Sequence, residues 1–142
     1  GLEAVSRGAE SVHFVEQDKQ TLTLLKQNIQ LATERLKKQG FSKKCVYLYP
    51  IDVRQSLKQL QVRCHADIIW ADPPYAQLVP WMAVFRKTLP LLMKTRGWFI
   101  LEVASDMLQD ATLEQPSWVQ IRKKTYGSTS LVMWEYQGEN HE

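Results

Sequence analysis

The sequence predicts an α/β fold: a mainly parallel sheet with helices on both faces and an antiparallel hairpin at the C-terminus. Three observations lead there. Apolar runs of strand length alternate with stretches whose apolar residues recur at helical spacing. Three of the apolar runs are closed by an acid, at Glu16, Asp52 and Asp72, as expected where parallel strands end on one rim of a sheet. Two alternating segments, Val119 to Tyr126 and Thr129 to Tyr136, flank Gly127-Ser128, a two-residue hairpin connection.

The elements follow in order. Gly1 to Gly8 reads as the last turns of a helix stopped by a glycine at the C′ position. Ser11 to Glu16 carries Val12, Phe14 and Val15, a buried strand, and Asp18 is placed to cap the helix that follows. From there Leu22, Leu25, Ile29, Ala32 and Leu36 step by three and four, an amphipathic helix running to Lys37-Lys38-Gln39-Gly40. Cys45 to Ile51 is the next strand, closed by Asp52, with a short helix over Val53 to Leu60. Ala66 to Ala71 is a buried strand. Leu78, Met82, Phe85 and Leu89 mark a helix in which Pro80 suits the first turn and Pro90 kinks or splits the element, with Gly97 as its end. Trp98 to Val103 is a further buried strand, and Ser105 to Ser117 is a polar connection with a short helix. Trp70, Trp98 and Trp134 are expected in the core, and the tail from Gln137 is expected to fray.

The 142 residues, 44% hydrophobic, suffice for one core. No repeat, low-complexity tract or linker divides them, so one domain over 1–142 is expected. No run approaches the roughly 18 apolar residues of a membrane span, and the first residues do not form a signal peptide. A soluble, cytoplasmic protein is the expectation, without a membrane partner. Eighteen basic against fifteen acidic residues give a net charge of +3, compatible with a polyanionic partner without requiring one. Cys45 and Cys64 lack metal-ligand spacing and read as buried reduced thiols. His13, His65 and His141 are scattered, and no metal site is expected.

The most informative stretch is Ile68-Ile69-Trp70-Ala71-Asp72-Pro73-Pro74-Tyr75. The prolines end the strand abruptly, leaving an acid, a rigid backbone carbonyl and an aromatic ring together at its carboxyl end. This set suits methyl transfer to an exocyclic amino group of a nucleobase. Such a nitrogen is a poor nucleophile because its lone pair is delocalised into the ring. The Asp72 carboxylate and the Pro73 carbonyl can each accept one N–H, drawing the nitrogen toward tetrahedral geometry, while Pro74 fixes the spacing and Tyr75 stacks on the base. The plainer alternative is a strand-ending turn with a surface tyrosine. Proline is common enough that an isolated Asp-Pro means little, but an Asp-Pro-Pro-aromatic run arises by accident on the order of once in several hundred chains of this length.

Glu16 and Asp52 share with Asp72 a position at a strand end, which makes a cofactor crevice plausible, since such acids accept hydrogen bonds from ribose hydroxyls. Acids after strands also cap the next helix. Lys37, Lys38, Lys43 and Lys44 read as a solvated face. Arg122-Lys123-Lys124, close to Tyr126, is either another solvated face or a place where phosphates and a base are held.

Together these residues resemble the bacterial 16S ribosomal RNA guanine-N2 methyltransferases of the RsmD type. The resemblance rests on Gly1 to Ala9, Val15-Glu16-Gln17-Asp18, Asp72-Pro73-Pro74-Tyr75, Leu101-Glu102 and Lys124-Thr125-Tyr126-Gly127-Ser128-Thr129-Ser130-Leu131, and spans essentially the whole chain. It implies a class I S-adenosylmethionine-dependent methyltransferase fold, with Glu16 and Gln17 at the cofactor ribose and Asp52 and the Val53 backbone at its adenine. It implies that Asp72, Pro73, Pro74 and Tyr75 hold the guanine, Asp72 lying also beside the cofactor, and that Tyr75, Lys124 and Tyr126 meet the RNA. The implied partner is 16S rRNA within a small-subunit ribosomal particle. The Asp-Pro-Pro-Tyr motif is shared with adenine-N6 methyltransferases, so a DNA adenine-N6 enzyme is the nearest alternative. The family carries a first strand and a glycine-rich loop before the position of Gly1, which this sequence lacks. On that ground an N-terminally truncated domain is expected, and a non-catalytic RNA-binding remnant of the fold is the second alternative.

Overall fold

In Gly1–Gln59, the first of two units into which the chain divides, a short helix α1 (Leu2–Ser6) ends where the sequence places its stop. Gly8 has φ +103°, which a Cβ would disfavour. The Ala9 N–H reaches the Ala4 carbonyl at 2.9 Å and the Gly8 N–H reaches the Val5 carbonyl at 3.3 Å, the paired bonds of a Schellman stop. The structure, a computed structural model, describes residues 1–38, 45–114 and 116–138, and of Cys45 only the backbone. Lys43, Lys44, His141, the Gln39-Gly40 stop, the thiol of Cys45 and the end of the tail lie outside the described residues.

Strand β1 (Ser11–Val15) pairs in parallel with β2 (Cys45–Tyr49), from Ser11 opposite Cys45 to Val15 opposite Tyr49. Between them runs α2 (Lys19–Lys38). Asp18 caps it, its Oδ1 accepting the Thr21 N–H at 2.8 Å. Leu22 and Leu36 are buried and Leu25 and Ile29 half-buried, the expected apolar face. β2 stops at Tyr49 rather than Ile51 because Pro50 has no N–H to give a ladder. The helix after it, α3 (Val53–Arg63), runs three residues beyond Leu60.

The second unit, Leu60–Glu142, holds β3 (Ala66–Ala71), a 3₁₀ turn (Tyr75–Gln77), α4 (Leu78–Leu92), β4 (Met93–Ala104), a second 3₁₀ turn (Ser105–Asp110), β5 (Trp118–Tyr126) and β6 (Thr129–Tyr136). The strand order is β3-β4-β6-β5, with β3 and β4 parallel and the other pairs antiparallel. Among the described residues the strands thus form a parallel pair and a four-stranded mixed sheet, and β1 and β3 are each paired along one edge. Phe99, Leu101 and Val103 of β4 are fully buried, as are Leu78, Met82 and Leu89 of α4, to within 2%. The Phe85 ring of α4 meets Phe99 at 5.3 Å between centroids, an arrangement aromatic pairs favour.

Trp134 is buried, but Trp70 is 55% exposed, Trp98 42% and Ile68 58%. These side chains stand on the sheet face opposite Phe99 and Leu101, because successive residues of a strand point to opposite faces and α4 covers one of them. β3 is therefore not a buried strand. α4 is not split at Pro90, which lies in its last turn, where only one helical bond is forfeited. Gly97 does not end that helix; it lies inside β4, where a Cβ would meet the Lys94 carbonyl oxygen at 2.8 Å. No helix among the described residues is long and apolar enough to cross a membrane.

Candidate active site

The motif acids are placed by strand ends. In the first unit Glu16 directly follows β1, and its N–H bonds to the Tyr49 carbonyl at 3.2 Å, so Glu16 is registered against the end of β2. Asp52 follows three residues after Tyr49, on the same carboxyl rim of the parallel pair. Glu16 Oε1 accepts the N–H groups of Gln17 and Asp18, both at 2.8 Å. Asp52 Oδ1 accepts the Arg54 N–H at 2.8 Å and lies 3.7 Å from Arg54 Nε, while the Asp52 carbonyl accepts from Gln55 and Ser56. Both acids thus organise the backbone that follows them, and each does so with one carboxylate oxygen. The other oxygen of each makes no hydrogen bond among the described residues. Val53 opens α3 beside Asp52.

In the second unit Asp72 directly follows β3. Its exposed carboxylate has no hydrogen bond or ion pair among the described residues. Pro73 is buried, and Pro74 (φ −53°, ψ 127°) turns the chain into the 3₁₀ turn that begins at Tyr75. The Pro74 carbonyl is occupied, accepting the Gln77 N–H at 2.8 Å, whereas the Pro73 carbonyl accepts no bond among the described residues. A carboxylate and a carbonyl that are both unpaired among the described residues therefore adjoin on a backbone held by two proline rings. Tyr75 is 40% exposed, and its hydroxyl lies 3.5 Å from Thr129 Oγ1 at the start of β6.

Thr129 belongs to the hairpin tip. Tyr126 pairs with Thr129 across the turn, and of Gly127 and Ser128 only Gly127 has positive φ (+58°), the pattern of a II′ turn. Lys124 Nζ stands 4.9 Å from the Tyr126 ring centroid, a cation–π distance. Register puts Arg122, Lys124 and Tyr126 on one face of β5, opposite Met133, Leu131 and Thr129 of β6. With Trp70 and Ile100, five of these (Arg122, Lys124, Tyr126, Leu131 and Met133) line a shallow groove of about 180 Å³. Lys123 points to the other face. Among the described residues no group of three or more His, Cys, Asp or Glu could hold a metal ion.

Trp70 and Thr129 join the site only through the fold. Trp70, expected in the core, is exposed, and its alternation with Ile69 is the signal that one of the two must face away. Thr129 lies in the hairpin segment that carries the resemblance, but nothing local pairs it with Tyr75, 54 residues away.

The family described as Conserved hypothetical protein 95 matches residues 1–135. A curated relative, the ribosomal RNA small subunit methyltransferase D of Haemophilus influenzae, is 27% identical over 135 residues. The match takes in 95% of this chain and 65% of the relative, so the chain spans about two thirds of the relative's length. Among solved structures, a Haemophilus influenzae protein provisionally described as a methylase superposes with a TM-score of 0.66 at 24% identity, over 98% of this chain and 80% of that one. Another, provisionally described as a methyltransferase and complexed with SAH, gives a TM-score of 0.66 at 12% identity, over 94% of this chain and 41% of that one.

Proposed function

Because the chain belongs to the family described as Conserved hypothetical protein 95, we propose that it carries the catalytic motif of an enzyme that methylates the exocyclic N2 amine of a guanine in 16S ribosomal RNA, with S-adenosylmethionine as donor. Its fold is that of the class I methyltransferases. The observation that carries the reading is the adjoining pair of unpaired acceptors, the Asp72 carboxylate and the Pro73 carbonyl, at the end of β3. The name of the curated relative supports RNA as the substrate class.

The residues fit the donor. Glu16 and Asp52 each keep one carboxylate oxygen without a hydrogen bond among the described residues. Such oxygens accept from ribose hydroxyls and from an adenine amino group, and Gln17 and Val53 offer neighbouring polar groups. S-adenosylmethionine, when bound, supplies a methyl group on a positively charged sulfur. Asp72 and Pro73 each accept one N–H of the guanine amine, which frees its lone pair to point at that methyl. Asp72 would then take the proton that the nitrogen sheds as the new N–C bond forms and the methyl–sulfur bond breaks, leaving S-adenosylhomocysteine. Tyr75 holds the base by stacking, and Lys124 and Tyr126 contact the flanking RNA, in a small-subunit particle.

The test is methyl transfer by the protein as its gene encodes it, to small ribosomal subunits and to duplex DNA, with calorimetric titration of S-adenosylhomocysteine alongside. Transfer to subunits at a guanine amine is expected, and Asp72→Ala is expected to lower it roughly a hundredfold or more while leaving the S-adenosylhomocysteine affinity near that of the parent. Transfer confined to DNA adenine, or RNA binding without cofactor affinity, would overturn the proposal.

A further inference from the structure

The geometry points to Thr129 as a positioning residue for Tyr75, held at its post by a chain of hydroxyls on the far side of the hairpin. The inference rests on Tyr75 contacting the base, as proposed above.

The backbone of Tyr75 is set by the double proline and by the Gln77 N–H to Pro74 carbonyl bond. Its ring, 40% exposed, is not fixed by that. Among the described residues its side-chain partner is Thr129, whose Oγ1 is 3.5 Å from the Tyr75 hydroxyl. That is longer than a formed O–H···O bond, within the small adjustment that closes such a contact when substrate arrives. Thr129 is well suited to the task. It is paired with Ala104 of β4 on one side and Tyr126 of β5 on the other, so its backbone is held from both edges. Its β-branched side chain is stiff at χ1.

The hairpin tip is itself tied down. The Ser105 N–H donates to the Ser128 carbonyl at 2.8 Å. Ser105 Oγ donates to the Gly127 carbonyl at 3.3 Å and lies 2.8 Å from Ser130 Oγ, which in turn lies 2.8 Å from Thr125 Oγ1. Each hydroxyl has one proton to give. The three hydroxyls thus form a continuous chain from Thr125 through Ser130 to Ser105 and the turn carbonyl, and its middle member is fully buried. Such a chain fixes the tip that carries Thr129 next to the motif.

The test uses the protein as its gene encodes it, with Thr129→Val, Thr129→Ser, Tyr75→Phe and the Tyr75→Phe/Thr129→Val double variant. Small-subunit methylation is read as kcat and KM for RNA, and S-adenosylhomocysteine affinity by calorimetry. Thr129→Val and Tyr75→Phe are each expected to raise KM for RNA about three- to tenfold, the scale of one hydrogen bond. Cofactor affinity should stay level, Thr129→Ser should restore KM, and the double variant should be no worse than Tyr75→Phe alone. Multiplying losses in the double variant, or a Thr129→Ser variant as impaired as Thr129→Val, would overturn the proposal. If Thr129→Val does not fold, an unchanged KM in Tyr75→Phe overturns it. Asp72→Ala runs alongside: if it retains parental turnover the methyl-transfer reading itself fails, whereas its loss with an unaffected Thr129→Val condemns the Thr129 role alone.

Discussion

Phe99 of β4 lies directly opposite Trp134 of β6, their rings 5.7 Å apart between centroids with planes 21° apart. Phe99 has no exposed surface, and Phe85 and Trp118 meet it from other directions at 5.3 Å and 6.4 Å. It is the point where helix α4, the strand after it and the C-terminal hairpin all converge.

Phe99→Ala is accordingly expected to destabilise the protein by about 3–5 kcal/mol, since the lost transfer energy is joined by a cavity that three rigid aromatic neighbours cannot close. Denaturant unfolding followed by tryptophan fluorescence measures this. A loss below about 1 kcal/mol would mean that Phe99 is not central to packing.

Gly127 tests the hairpin turn. Its φ is +58°, and an added Cβ would have nothing within 4 Å. Gly127→Ala should therefore cost about 1–2 kcal/mol through backbone conformation alone, because nothing stands where the methyl group would go. Gly127→Asn should cost less, since asparagine tolerates a left-handed backbone. Equal losses for both in a thermal melt would point to crowding instead.

Cys64 offers a pH test. Burial pushes its thiol pKa up, with the Asp67 carboxylate adding to the effect and Lys94 opposing it. A raised pKa leaves less thiolate at a given pH, so near pH 8 alkylation of Cys64 by iodoacetamide should be slower in the native protein than in urea. The rate should go on climbing at pH values where the unfolded thiol has levelled off. Mass spectrometry of the Cys64 peptide reads both states, and a native rate equal to the unfolded rate would refute the burial argument.

Much of the local structure could be read without coordinates. The Gly8 stop, the Asp18 cap, the apolar face of α2 and the Gly127-Ser128 turn each depend on a few neighbouring residues, and each stands where the spacing put it. Of the proposed site, the motif's position at a strand end was legible for the same reason, because Pro73 and Pro74 permit little else after β3. What was missed required knowledge of neighbours far along the chain. Ile69 and Trp70 are equally apolar, and nothing in their order says which one α4 will cover. Gly97 looked like a stop because the close approach of the Lys94 carbonyl is a matter of how β4 begins.

The elements and their chemistry are written locally along the chain: an acid at the end of each of three strands, a double proline after one of them, and a basic hairpin. Those features are encoded by backbone preferences that act within a few residues. The tertiary structure alone decided that β6 inserts between β4 and β5, and that α4 covers Phe99 while Trp98 and Trp70 face away. It also brought Thr129 to Tyr75 across 54 residues. The physical reason is that strand order, the covered face and such contacts follow from burying side chains from distant segments against one another. A period-two pattern is the same whichever face is buried.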